Sequence, residues 1–538
     1  MKFVVSLVAA VALGMLAAPL SAQELHVGLK ASIDSADPHV LFTTNRNLDL
    51  HVYEPLVSQD RYLKPRPGLA VSWTSIEPTV WEFHLRPNVT FSDGTPFTAD
   101  DVVFSLNRGR TLSGARTYRP YLKDIAAVEA VDPATVRIRT AQPSALLPWN
   151  LSTIGMVSAR AAKDATSEDF NGGRAAVGTG PYRWVKWHRG RDVVLERNVG
   201  YWGGVEPWNR VVVRVIPNDS ARVSALLSGD VDVIDAVPGN LVGRISDAAT
   251  TGLVTDTSIF LAYLHLDQSR DQSPFVRAKD GAPLGRNPLK DARVRKALGL
   301  AINRRGLADR VMQGDAEPSG QLAPDGYAGH DPTLAPHAYD PDSAKALLAA
   351  AGYPDGFRST IHCMNDRFAG DAQVCQAIAS MFTAIGVATE VETMPAAVFF
   401  KRGSVQGSKG VPDFSVSLAI YGPLTGDPSI TLTNLLQTID REHGKGLINR
   451  ALYSNPDLDR LIETAQSTFD EALRNSLLAQ AIRIAVADEA MLPLFFLKSS
   501  WGIARPLSLR PRGDGYTMAT GIRRSDQADR SAHGHKEE

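Results

Sequence analysis

The apolar positions of this chain fall into two alternating periods. In Trp81-Glu-Phe-His-Leu-Arg86, Trp81, Phe83 and Leu85 alternate with polar neighbours, the period of a strand with one face on a core. Glu24 to Leu29 predicts an earlier strand. Tyr182, Trp184, Val193 and Leu195 predict a hairpin that turns at His188 to Arg191. Helical spacing appears after Thr98-Ala-Asp-Asp101, a capping-box pattern followed by Val102, Val103 and Leu106. It returns after Asp291 with Val294, Ala297, Leu298, Ala301 and Ile302. Asp340-Pro341 opens a further helix through Ala344, Leu347, Leu348 and Ala351, which Gly352 closes. A helix from Asp371 to Ile385 precedes a strand from Val387 to Glu392. Amphipathic helices then fill Asp457 to Asp488, and Pro493 to Leu497 makes a last buried strand. Alternating strands and helices without internal repeats imply a mixed α/β fold.

The first residues follow neither period. Lys2 precedes an apolar run from Phe3 to Ala18, broken only by Ser6 and Gly14, and Pro19-Leu20-Ser21-Ala22 follows. This is the pattern of a secretory signal cleaved after Ala22, and the run is short of the ~20 residues of a spanning helix. No cysteine lies near the cleavage point to take a lipid anchor, so a free periplasmic protein is expected. Removing 22 of 538 residues leaves 516, enough for two or three lobes. Lys plus Arg number 57 against 58 acidic residues, so no global field would draw in nucleic acid or an anionic membrane. Cys363 and Cys375 are the only cysteines. In an oxidising compartment a local disulfide between them is favoured over two free thiols. The chain beyond Thr520 is polar, with His533 and His535, and is expected to be a disordered tail.

The densest motif is Gly178-Thr-Gly-Pro-Tyr182, then Trp184 and Trp187, then Glu196-Arg-Asn-Val-Gly-Tyr-Trp-Gly-Gly204. Read physically it is a tight backbone passage, a hairpin and an aromatic corner, which a stiff turn in any globular domain would also explain. As a string it resembles the peptide-type extracytoplasmic solute-binding proteins, family 5, the receptors of ABC importers. Further blocks match in order: Pro67-Gly-Leu-Ala-Val-Ser-Trp73, Trp81 to Arg86, Phe91-Ser-Asp-Gly-Thr-Pro-Phe97 through Ser105, Asp291 to Arg304, and Tyr339-Asp-Pro through Ala351-Gly-Tyr-Pro354.

The resemblance implies a two-lobed periplasmic-binding-protein (Venus-flytrap) fold with a subdomain inserted in the first lobe, binding a peptide-like solute without a cofactor. The first lobe would take residues 23–268, with the subdomain at about 54–180, and the second lobe 269–492. The chain would return to the first lobe over 493–520, leaving 521–538 as the tail. Crossings near Leu266 and Leu492 would be the hinges. Inner-membrane permease subunits with their ATPases would be the partners, and a monomer is expected.

Candidate contacts carry over by position. Thr43, Thr44 and Asn45 fall in the loop after the first strand, which lines the cleft in dipeptide-binding relatives. Arg367 matches a cleft arginine that forks onto a peptide carboxylate, a geometry that guanidinium suits; a surface salt bridge is its competing reading. Tyr421, in Tyr421-Gly-Pro-Leu-Thr-Gly-Asp-Pro428, matches an aromatic platform, and also fits a buried structural ring. Where dipeptide binders present an aspartate to the peptide ammonium, this chain has Leu424. Either Asp427 or another acid substitutes, or the ligand is not a free dipeptide. Nickel complexes, glutathione, opines and oligosaccharides are the alternatives that the family offers. A secreted hydrolase is the competing class, yet the chain has no Gly-x-Ser-x-Gly elbow, His-Glu-x-x-His, phosphate loop or dinucleotide fingerprint.

Overall fold

The structure is a computed structural model that describes residues 23–41, 43–114, 116–405 and 410–525. The predicted signal segment, residues 1–22, and the two tail histidines lie outside the described residues. Eleven strands form one sheet that runs through both lobes. From edge to edge its order is Ala388–Met394, Arg358–Met364, Val416–Tyr421, Thr251–Leu266, Leu492–Ala504, Val233–Asp235, Glu24–Leu29, Arg210–Val215, Asp192–Arg197 and Tyr182–His188. Ala316–Pro318 adds to Leu492–Ala504 off this path. Each half has a parallel centre. Glu24–Leu29 runs parallel to Arg210–Val215 and Val233–Asp235, and Arg358–Met364 parallel to Ala388–Met394 and Val416–Tyr421.

Two long antiparallel strands join the halves. Thr251 to Thr257 pairs with Ala504 to Lys498, the register shifts between Thr257 and Leu261, and pairing resumes from Leu261–Phe496 to Leu264–Leu492. The expected crossings near Leu266 and Leu492 need correcting. Leu264, Leu266 and Leu492 are buried in the second lobe's core with Leu289, Leu298, Ile361 and Phe382. A strand that ends inside a packed core cannot be where two cores separate. The change of lobe falls instead at the irregular register, near Thr257 to Leu261 and Phe496 to Lys498.

The inserted unit has its own four-stranded antiparallel sheet, in the order Ala70–Glu77, Val80–Leu85, Thr135–Thr140, Ile125–Asp132. Phe83, Val136 and Ile138 face a core shared with Val102 and Leu106 of the helix Ala99–Thr111. That helix starts on the predicted capping box, Asp101 accepting from the Thr98 amide at 2.9 Å. The later helices are Ala292–Ala301, Pro341–Ala350, Asp371–Ala384, Pro456–Ser467 and Glu471–Ala487. Gly352 takes a φ of 93°, as a left-handed helix terminator requires. The tail expectation also needs correcting. Ile522–Arg524 pairs with Leu507–Leu509, and Ile522 is buried, its carbonyl accepting from Trp208 Nε1 at 2.9 Å.

The dense motif is where the inserted unit rejoins the sheet. Gly178 and Gly180 pass against the end of the helix Arg46–Val52, with the Gly180 amide donating to the Val52 carbonyl at 2.9 Å. A Cβ on Gly178 would lie 2.7 Å from the Val52 carbonyl carbon and closer still to its oxygen, so only glycine fits. The motif then closes on Glu54. Its carboxylate accepts from Thr179 Oγ1 at 2.9 Å, Trp202 Nε1 at 2.8 Å and Tyr201 Oη at 3.1 Å. Burial outweighs these bonds and pushes the Glu54 pKa up to about 7.

Two outcomes follow from this geometry. Gly178→Ala is expected to lower unfolding free energy by about 3 kcal/mol, read as a reduced urea midpoint at unchanged slope. Because Glu54 holds its proton more tightly in the folded than in the unfolded chain, its contribution to stability falls as pH rises from about 4.5 to 7. Glu54→Gln lacks that term, so thermal melts should show the variant gaining on the parent protein across this window.

Candidate functional site

The loop after the first strand folds back on itself. Asn45 is buried, and its Oδ1 accepts from the Asp34 amide at 2.8 Å and the Ser35 amide at 3.5 Å. Thr44 Oγ1 donates to the Ser32 carbonyl at 2.8 Å. Thr43 belongs to the same single 3₁₀ turn, Thr43–Asn45, and its side chain lies outside the described residues. The turn leads directly into Arg46. Asn45 Nδ2 and Arg46 Nε are both buried without a hydrogen-bond partner. Unpaired buried donors are costly, and two on adjacent residues mark a place where an acceptor would be welcome.

Arg46 sits in a cluster that the sequence did not reveal. Its Nη1 donates to the Thr153 carbonyl at 2.9 Å, and its guanidinium lies 5.7 Å from the Tyr516 ring centroid. Burial would lower the Arg46 pKa, yet the hydroxyls of Tyr118 and Tyr516, with Asp514, hold it above the usual value. Asp514 is itself paired with Arg512 at 2.6 Å. Asp49, one helical turn on, is driven well above the carboxylate range by burial, against the opposing pull of Arg46. Among the described residues no carboxylate lies within ion-pair distance of the Arg46 guanidinium. Arg46 follows the predicted loop by one residue, which is the only signal that pointed toward it.

The second wall comes from Tyr421 and the segment after it. Tyr421 ends the strand Val416–Tyr421, and its Oη accepts from Asn434 Nδ2 at 2.8 Å. Burial, with Tyr121 of the inserted unit nearby, raises its pKa. Tyr121 is pushed up to about 12 by burial and by neighbouring Tyr118, Arg46 opposing. Tyr121 and Tyr421 thus bring the inserted unit and the second lobe together. Gln59 Nε2 pins the same segment from the first-lobe side, donating to the carbonyls of Leu424 at 3.2 Å and Thr425 at 3.1 Å.

Asp427 does not take the role suggested for it. It caps the helix Pro428–Leu435, Oδ1 accepting from the Ser429 amide at 2.8 Å, and its Oδ2 pairs with Arg474. Both side chains are buried and both carboxylate oxygens are spent, so no lone pair faces a ligand ammonium. The sequence placed Asp427 near the cleft but could not show that Arg474, 47 residues later, would claim it.

Arg367 is exposed, on the loop between the strand Arg358–Met364 and the helix Asp371–Ala384. Its amide donates to Asp371 Oδ2 at 2.9 Å, while its guanidinium makes no ion pair or hydrogen bond among the described residues. The competing reading, a surface salt bridge, is therefore not what the structure contains. The expected disulfide is present: Cys363 and Cys375 are joined and buried, closing the loop that carries Arg367. Among the described residues no His, Cys, Asp and Glu group is arranged to hold a metal ion. The site thus offers donors and aromatic rings from both lobes.

Residues 64–440 match the family model described as bacterial extracellular solute-binding proteins, family 5 Middle. The chain belongs to that family. Among curated relatives, the probable D,D-dipeptide-binding periplasmic protein DdpA of Escherichia coli K12 is 26% identical over 432 residues, covering 79% of this chain and 78% of the relative. The glutathione-binding protein GsiB of Escherichia coli K12 is 27% identical over 487 residues, covering 89% and 90%. Among solved structures, HbpA2 from Haemophilus parasuis superposes with a TM-score of 0.79 at 24% identity, over 93% of this chain and 100% of that one. That likeness establishes the two-lobed fold. As a family 5 protein the chain is a solute receptor.

Arg474→Met would leave the Asp427 carboxylate buried and unpaired, at an expected cost of about 3–5 kcal/mol in chemical denaturation. Arg367→Ala, on an exposed loop, should change unfolding free energy by less than about 0.5 kcal/mol in the same assay.

Proposed function

We propose that this chain is the periplasmic receptor of an ABC importer, binding a peptide-like solute between its lobes and delivering it to inner-membrane permease subunits and their ATPases. The observation that carries this reading is the family match over residues 64–440 on a scaffold through whose two lobes two paired strands run. The named ligands of the relatives, a D,D-dipeptide for DdpA and glutathione for GsiB, support a short peptide-like solute. The apolar run Phe3 to Ala18 followed by small residues supports export with cleavage after Ala22 and no lipid anchor.

Closure supplies the mechanism. A solute that touches both lobes stabilises the closed state by its differential affinity, and the permease reads that state. The hinge in this reading is the register shift at Thr257 to Leu261 and the facing Phe496 to Lys498, where the ladder is already interrupted. No bond need break, and micromolar binding, about 8 kcal/mol, suffices.

The polarity of the walls narrows the solute. Asn45 Nδ2, Arg46 Nε and the free Arg367 guanidinium are donors that seek acceptors. Leu424 is apolar, and Asp427 is committed to Arg474. A buried ammonium without a carboxylate partner is costly. Solutes with a carboxylate and no free ammonium therefore rank ahead of free dipeptides.

Mass spectrometry of the solute that co-purifies from native periplasm should return a carboxylate-bearing compound, and calorimetry with it should show saturable binding without turnover. Arg367→Ala should weaken that binding by about tenfold or more, the worth of one charge-assisted hydrogen bond. Unchanged affinity would remove Arg367 from the site. Release of a product would reverse the receptor reading.

A further inference from the structure

A second cavity, of about 590 Å3, lies between the first lobe and the inserted unit. Glu54, Tyr201, Trp202, Glu206, Arg510 and Arg512 are among the residues that line it. Gln59 also lines it, whereas Thr43, Thr44, Asn45, Arg367, Tyr421 and Asp427 are not among its lining residues. Its size falls within the range of small-molecule sites.

Most charges on its walls are already neutralised. Asp60 pairs with Arg66 at 2.9 Å, Arg61 with Asp256 at 3.0 Å, Arg512 with Asp514 at 2.6 Å, and Glu206 with Arg523 at 3.3 Å. Two charges are not. Among the described residues Glu54 makes no ion pair and accepts from the neutral donors of Thr179, Tyr201 and Trp202, with Arg86 only near enough to pull its pKa down. Arg86 itself stacks on the Trp202 ring at 3.9 Å and donates to the Gly68 carbonyl at 3.1 Å. Arg510 is held by its backbone, its amide donating to the Gly521 carbonyl at 2.9 Å, and its guanidinium is exposed with no partner among the described residues.

An acid and a base without counter-ions thus open on one cavity beside two aromatic rings. We propose that this cavity is a second ligand site, separate from the inter-lobe cleft, and that it takes a small zwitterion of the amino-acid class, with its ammonium at Glu54 and its carboxylate at Arg510. A zwitterion supplies both missing charges at once, which neither an amine nor a carboxylic acid does alone. Occupancy also joins the inserted unit to the segment 510–521, which returns to the first lobe after the last crossing. Because burial holds the Glu54 pKa near 7, an ammonium must displace the carboxyl proton to bind, so binding is coupled to pH.

The test is calorimetric titration of the mature protein with each of the common amino acids, and with the decarboxylated amine and the deaminated acid of any that binds. The expected result is saturable binding of at least one amino acid, with amine and acid each at least about tenfold weaker. Binding should be about tenfold weaker at pH 6 than at pH 8, following ionisation of Glu54. It should be lost in Arg510→Ala, an exposed position where folding is not at stake, and unchanged in Arg367→Ala. Glu54→Gln, if it folds, should abolish binding together with its pH dependence. No saturable binding up to about 1 mM overturns the proposal. So does binding that survives Arg510→Ala, or binding that Arg367→Ala removes, since the latter places the amino acid in the inter-lobe cleft.

Discussion

Everything in this molecule hangs on the pairing of two long strands, Thr251–Leu266 and Leu492–Ala504. They are the continuous backbone ladder shared by both lobes, and each end of the ladder is buried in a different core: Trp501 and Ile503 in the first lobe, Leu264 and Leu492 in the second. The register shift between Thr257 and Leu261 is where the ladder loosens. The interruption is on the Thr251–Leu266 side alone, since Phe495 to Leu497 pairs with Ala316–Pro318 on the other edge.

The glycine and aromatic motif from residue 178 to 204 serves a different end. It brings the inserted unit back into the main sheet and anchors the return on Glu54, with glycines where the backbone of the Arg46–Val52 helix leaves no room for a side chain. The motif therefore reports the architecture and is silent about the ligand. Its cost is a largely buried carboxylate that is hydrogen-bonded by neutral donors and makes no ion pair among the described residues.

Charge pairing decides which side chains are left for recognition. A buried charge is costly when its partner is removed; Asp427 is paired with Arg474 and Asp514 with Arg512, and the two pairs become part of the scaffold. The groups left over are donors: the Asn45 amide, the Arg46 guanidinium and the Arg367 side chain on its disulfide-closed loop. The contrast with a site that presents an aspartate to an ammonium lies in residue 424, where leucine offers only a backbone carbonyl already held by Gln59.

Local features were legible without coordinates because their causes are local. The alternation in Trp81 to Arg86, the caps at Thr98, Asp291 and Asp340, and the left-handed stop at Gly352 each depend on neighbours within a turn or a strand, and each formed as read. The order of motifs was enough to indicate the family and the two-lobed class. The hinge and the fate of single charges were not legible. Whether a strand ends in one core or crosses into another depends on packing from residues hundreds of positions away, and so placed the crossing near Thr257 rather than Leu266. Whether Asp427 faces a solute or an arginine depends on Arg474 arriving from another helix. The sequence by itself determined the elements, because periodicity and capping are short-range, and the lobes entered through the resemblance of its ordered motifs to a family. The tertiary structure alone decided which charges remain free to bind, because pairing of a buried charge is settled by whatever the fold brings within about 4 Å.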